Sequence, residues 1–212
     1  MTKNKRIKYW CSVFLVGVLR RFVIIHQVFH GISVRVTRKK HSPLVFCIGF
    51  SKTGTTSLDK ALAILGYRHV HWPRAHFEPY QGWMEYIRKC PFDAFSDAPM
   101  YYPGFFKQLD YAFPGSKFIF TVRKPESFMR SWENYFYYAP WSLDMPEKKD
   151  ALLKAYTNHT QEVLEYFRDK PSQLLVFDII GGDGWEKLCA FLDQPIPAIA
   201  FPHKRNAKYK KI

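Results

Sequence analysis

The chain has 212 residues, 47% of them apolar and 18% aromatic, which suffices for one domain with a sizeable core and an appendage. Its net charge of +14 sits at the ends. Residues 1–41 hold ten Lys/Arg and no acid, residues 203–212 hold five and no acid, and the 17 Lys/Arg between them face 18 acids. A near-neutral body argues against a nucleic-acid binder built on a basic surface, so no nucleic acid is expected as a partner.

The basic start, Lys3 to Lys8, leads into an apolar run from Tyr9 to Leu19, broken by Arg20 and Arg21 and resumed from Phe22 to Ile25. That run is too short to span a bilayer, and paired arginines at mid-membrane are costly. Three readings stand: an anchor-like or interfacial helix on an anionic membrane surface, a targeting peptide, or a helix packed on the domain. The first implies a membrane-associated protein, and a cytoplasmic one is the alternative. Arg35 to His41 reads as a linker, so the chain divides into a segment 1–41 and a catalytic-sized domain 42–212.

From Leu44 to Ile48 the chain reads as a buried strand. Gly49-Phe50-Ser51-Lys52-Thr53-Gly54-Thr55-Thr56-Ser57 follows, and then Leu58, Ala61, Leu62 and Leu65 recur at helical spacing. A strand, a tight polar loop and a helix starting near Thr55 make an anion cradle. Loop amides point inward, the helix dipole adds partial positive charge, and glycine lets backbone approach the ligand. Gly49 and Gly54 keep the G-x-x-x-x-G spacing of a phosphate loop, but Thr55 stands where G-x-x-x-x-G-K-[ST] has lysine. Lys52, inside the loop, is its only lysine. Such a loop is poorly equipped to hold a nucleoside triphosphate with magnesium.

Gly66 then stops the helix, and Tyr67–His71 reads as a second strand. A helix is expected over 78–89, with Trp83, Met84, Tyr86 and Ile87 mostly inward. Phe92–Ser96 reads as a third strand, 105–112 as a short helix and Lys117–Val122 as a fourth strand. Helices over 125–137 and 146–169, a strand over 174–177 and a helix over 185–192 complete the series. Strands separated by helices imply parallel βαβ units. The expected fold is α/β: three layers, P-loop-like, with a central parallel sheet of about five strands flanked by helices. The four cysteines form no CxxC pair, and no histidine joins a cysteine or acid at metal spacing, so reduced thiols and no metal are expected.

The strand ending in Arg123 opens, through Pro125, into another helix that carries Ser131. Arginine offers a forked donor set matched to phosphate oxygens. Lys52-Thr53-Gly54-Thr55-Thr56 resembles the P/S-K-[ST]-G-T-[ST] loop of the sulfotransferases, and Arg123 and Ser131 match their Arg-x7-Ser. Phe95-Ser96-Asp97-Ala98-Pro99, Leu174 to Asp178 with Gly184 to Leu192, and the ending Phe201 to Asn206 are similar to a bacterial, fungal and algal-type group within them. The match runs from about Val45 to Asn206. The resemblance implies a metal-free donor, 3′-phosphoadenosine 5′-phosphosulfate, with adenosine 3′,5′-bisphosphate as product. It places Ser51, Lys52, Thr53, Gly54, Thr55, Thr56 and Ser57 on the 5′-phosphate, Arg123 and Ser131 on the 3′-phosphate, and Arg205 among the cofactor contacts. Lys52 would also meet charge on the leaving oxygen. Ser57 stands where cytosolic members have an adenine-stacking tryptophan, so that partner must come from elsewhere.

The acceptor, a hydroxyl or amine of a small molecule or glycan, calls for a general base. Asp97 follows a strand at the edge where open α/β sheets bind ligands, and His69 and His71 end another. Histidine needs less tuning near neutrality. The aromatic cluster Trp132, Tyr135, Phe136, Tyr137, Tyr138 and Trp141 reads as core, with any surplus available to an acceptor ring. Two other functions compete. A nucleoside or small-molecule kinase lacks the lysine after Gly54. A non-catalytic, membrane-tethered phosphate binder has no need of both Lys52 and Arg123.

Overall fold

A computed structural model describes residues 43–71, 81–136 and 146–203. Five strands form one sheet: β1 Val45–Cys47, β2 His69–His71, β3 Ala94–Ser96, β4 Lys117–Thr121 and β5 Leu174–Phe177. Every pairing is parallel, in the order β2-β3-β1-β4-β5. Six helices connect and flank them: α1 Thr55–Ile64, α2 Gln81–Lys89, α3 Phe105–Ala112, α4 Pro125–Phe136, α5 Pro146–Tyr166 and α6 Trp185–Leu192.

The layers follow from the two-residue period of the strands. Phe46, Ile48, Val70, Phe95, Phe118 and Phe120 turn to one face and meet Trp83, Met84 and Ile87 of α2, Phe105, Phe106 and Leu109 of α3, and Val163 of α5. Val45, Cys47, Ala94, Ile119, Leu175 and Phe177 turn to the other and meet Leu58, Ala61 and Leu62 of α1 and Trp185, Leu188 and Cys189 of α6. This is the expected three-layer, P-loop-like α/β fold. The chain leaves β1 toward β2 on one side and leaves β4 toward β5 on the other. The crevice between β1 and β4 is therefore the switch point at which open α/β sheets bind ligands.

The elements match expectation in kind and order, with small differences at their ends. β3 begins at Ala94 because the Asp93 amide is already bonded to the Arg68 carbonyl outside the ladder. Helix α5 ends at Tyr166 because its last turn tightens, Arg168 N–H reaching Glu165 O rather than the residue four back. Gly66, at φ +88°, ends the turn after α1. Cys47, Cys90 and Cys189 are free thiols. Residues 78–80, 137–145 and 1–42 fall outside the described residues. The start of the second helix, most of the aromatic cluster and the whole basic segment 1–41 are therefore not described.

Candidate active site

Two glycines shape the loop between β1 and α1. A Cβ on Gly49 would lie 2.0 Å from Thr121 Oγ1 and 2.5 Å from the Thr121 carbonyl, so only glycine lets β1 leave the sheet so close to β4. Gly54 caps α1 at φ +108°, and a Cβ there would also press on Ile179. No side chain caps α1. The first-turn amides of a helix have no intrahelical partner, so those of Gly54, Thr55 and Thr56 form a small field of donors at the positive end of a dipole. Below them, His159 on α5 props the end of β1. A carbonyl only accepts, so His159 Nε2–H donates to Ile48 O at 2.8 Å, and burial holds the ring's pKa down, in its neutral form.

Thr53 differs from its neighbours. It is fully buried, and its hydroxyl donates to Phe50 O at 2.5 Å and pairs with Thr121 Oγ1 at 2.7 Å. That hydroxyl is committed to the protein and is not open to a phosphate. Ser57 and Thr55 are nearly buried at the base of α1, while Gly54 and Thr56 stay half-exposed.

Arg123 ties the stretch between β4 and α4 to the loop after β1. Its Nη1 donates to the Lys52 carbonyl at 2.9 Å and its Nε to Ser127 Oγ at 2.8 Å. Tyr156 of α5 locks the backbone beneath it: its hydroxyl accepts from Arg123 N at 3.0 Å and donates to Arg123 O at 2.6 Å. Tyr156 is itself clamped by stacking on Phe128 at 4.3 Å. Ser131 lies on α4 one turn beyond Ser127, and Ser127 is the serine that bonds Arg123.

On the opposite side of the loop a polar chain runs along the ends of β2 and β3. His71 Nδ1 meets Asp59 Oδ2 at 2.5 Å and His71 Nε2 meets Asp97 Oδ2 at 3.2 Å. Ser96 donates to Asp59 Oδ1 at 2.6 Å, Ser51 to Asp97 Oδ1 at 2.6 Å, and the Ala98 amide to that same oxygen at 2.9 Å. Burial alone would push the imidazole's pKa down, but hydrogen bonds and charge from Asp59 and Asp97 outweigh it and raise it to about 10. Burial pushes the Asp97 carboxyl up, and His71, Ser51 and the Ala98 amide overcome that, so it rests below its ordinary value. Lys52, at φ +73°, moves the other way: burial and Arg123 lower its ammonium to about 8 against the pull of Asp97.

The structure thus gathers Ser51, Lys52, Asp97, His71 and Arg123 around one loop. His69 stands two residues back along β2, farther from the sheet edge. Arg205 lies outside the described residues. Three residues were not foreseen from sequence. Asp59 had a signal, since it shares the inward stripe of α1 with Thr55, Leu58 and Leu62. Tyr156 had a weaker one, at the head of the buried stripe Tyr156, His159, Val163. Ser96, in a buried strand, had none. Among the described residues no group of His, Cys, Asp or Glu is arranged to hold a metal ion, and no helix is long and apolar enough to cross a membrane.

The chain is 26% identical over 208 aligned residues to "Ava biosynthesis cluster protein M" of Aspergillus versicolor, covering 75% of this chain and 79% of that protein. The sulfotransferase domain model matches residues 44–146 and 136–209. Those matches take in the Lys52 loop, Arg123 and the whole sheet, and the chain belongs to the sulfotransferase domain family.

Proposed function

We propose that the protein transfers a sulfuryl group from 3′-phosphoadenosine 5′-phosphosulfate to a hydroxyl of a small-molecule or glycan acceptor, without a metal. The observation that carries this reading is the bond from Arg123 Nη1 to the Lys52 carbonyl. It brings two elements suited to anions, 71 residues apart in the chain, side by side, as a ligand with two separate phosphates needs. The residues present fit such a donor. The first-turn amides of α1 lack a side-chain cap, Lys52 adds an ammonium, and Arg123 is fixed by Tyr156.

When bound, the donor supplies the sulfuryl group and an adenosine 3′,5′-bisphosphate leaving group. The amides of Gly54, Thr55 and Thr56 hold the 5′-phosphate, with the Ser51 and Thr56 side chains at the rim and Ser57 beneath. Arg123 holds the 3′-phosphate, with Ser131 farther along α4 and Arg205 assigned to the same cofactor. Lys52 meets charge growing on the leaving oxygen, a contact stronger in the transition state than in the ground state. Asp97 takes the acceptor's proton. His71 is less suited to that role because each of its ring nitrogens already faces a carboxylate, and His69 is set back from the edge.

Residues 1–41 are proposed as a separate segment that brings the domain 42–212 to an anionic membrane surface. The donor is tested by thermal unfolding. Adenosine 3′,5′-bisphosphate without metal should raise the melting temperature, because a ligand of the native state adds RT ln(1 + [L]/Kd) to stability. A rise with ATP and magnesium but none with the bisphosphate would overturn the reading in favour of a kinase.

A further inference from the structure

We propose that Asp59 is a positioning residue of this site: from inside α1 it pins the His71 ring between itself and Asp97 as a fixed cation, which keeps Asp97 charged and aimed at the acceptor. What Asp97 does rests on the function proposed above; what Asp59 does to His71 does not.

The argument starts from donors and acceptors. A carboxylate faces each nitrogen of the ring, at 2.5 Å on the Nδ1 side and 3.2 Å on the Nε2 side. A carboxylate only accepts, and only a doubly protonated imidazole donates at both nitrogens. A neutral ring would turn a lone pair onto one of the carboxylates. Asp59 is almost wholly buried, and a buried carboxylate without a cation is costly. Its other oxygen takes the Ser96 hydroxyl, which fixes the carboxylate plane. The groups on the ring come from the packed elements: Asp59 from α1, Ser96 from β3, whose Oγ lies 3.0 Å from Nδ1, and Asp97 after it, while Ser51 and Lys52 of the loop act on Asp97. His69 lies on the ring's own strand. Cys47 of β1 lies behind Asp59, and burial, then the Asp59 charge, holds its thiol protonated. The raised proton affinity of His71 agrees with this arrangement.

Loss of the ring's proton would leave two carboxylates about one uncharged ring. Asp97 would then draw on the nearest remaining cation, Lys52, whose proton affinity it already raises. The ammonium would turn from the leaving oxygen toward Asp97. Turnover would fall, while the α1 amides and Arg123 would still hold the donor.

The test follows the His71 ring resonances in the full chain by NMR between about pH 6 and 9, the range in which an ordinary histidine loses its proton. His71→Gln assigns the signal. In the native chain the signal should stay that of an imidazolium. In Asp59→Asn, which preserves shape and removes charge, the midpoint should fall at least about tenfold in proton affinity and enter that range. In the same variant kcat for para-nitrophenol, the acceptor probe, should decline along the new midpoint, with KM for the donor within about twofold of native. A native ring that titrates at its ordinary value overturns the proposal without any variant. So does an Asp59→Asn pH profile that superimposes on the native one. A chain that transfers no sulfuryl group, but whose ring behaves as stated in both forms, overturns the proposed function and upholds the hold of Asp59 on His71.

Discussion

At the scale of single residues, three charges with shifted proton affinities surround one loop, and each has a consequence that can be measured. Lys52 is a cation only below about 8 in the free protein. If its charge stabilises the leaving oxygen, kcat/KM, which reports the free enzyme, should fall as pH rises through about 8. Lys52→Arg should move that limb upward, and Lys52→Ala should lower kcat more than donor affinity. A limb that stays in place in Lys52→Arg would remove Lys52 from the chemistry. Arg123→Ala should weaken adenosine 3′,5′-bisphosphate binding by roughly 2–4 kcal/mol, because a multidentate charged contact is lost. Tyr156→Phe, which frees the backbone under Arg123, should cost about 1 kcal/mol in the same calorimetric titration. Stability should also bend with pH on both sides. His71 is raised above its ordinary 6.5, so its contribution is full below that value and is lost as pH rises toward 10. Asp97 is depressed below its ordinary 3.8, so its contribution is full above that value and is lost as pH falls through its folded value. Urea unfolding across that span, with His71→Gln as the comparison, reads both arms.

At the scale of elements, the loop was legible because its chemistry is local. Gly49, Lys52, Gly54 and the threonines lie in one stretch, and a strand before and a helix after leave few ways to fold it. The strands were legible as apolar runs, but their ends were not, since a strand stops where its partner's carbonyls stop. The acid–imidazole chain was half legible. His71 and Asp97 stand at strand ends, where ligands gather. Asp59 shows in sequence only as a position on the inward stripe of α1, because its partner Ser96 lies 37 residues on, in β3, which pairs with β1 and β2. Gly49 gives the sharpest element-scale prediction. Gly49→Ala should destabilise the fold by roughly 3 kcal/mol or more in urea, an overpacking clash at the crossing of β1 and β4. Adding Thr121→Ala should not restore it, since the Thr121 carbonyl and amide, at 2.5 and 2.7 Å, stay in place. Recovery in the double variant would mean that the side chain alone sets the limit.

At the scale of the whole molecule, charge and fold are separated along the chain. The described core closes on itself: both faces of the sheet are covered, and β1, at its centre, has β3 on one side and β4 on the other. Residues 1–41 lie outside the described residues, and their ten positive charges flank an apolar run. Each basic residue near an anionic leaflet contributes about 1 kcal/mol, and an apolar helix face laid into the interface adds burial. The pair Arg20 and Arg21, in the middle of the apolar sequence, favours a helix lying on the surface over one crossing it. A chain beginning at Ser42 should therefore stay folded and bind adenosine 3′,5′-bisphosphate with unchanged affinity. It should also lose sedimentation with phosphatidylserine vesicles, which the full chain should show and which salt should weaken. Aggregation of the shortened chain, or loss of its nucleotide affinity, would instead make the segment part of the domain's core.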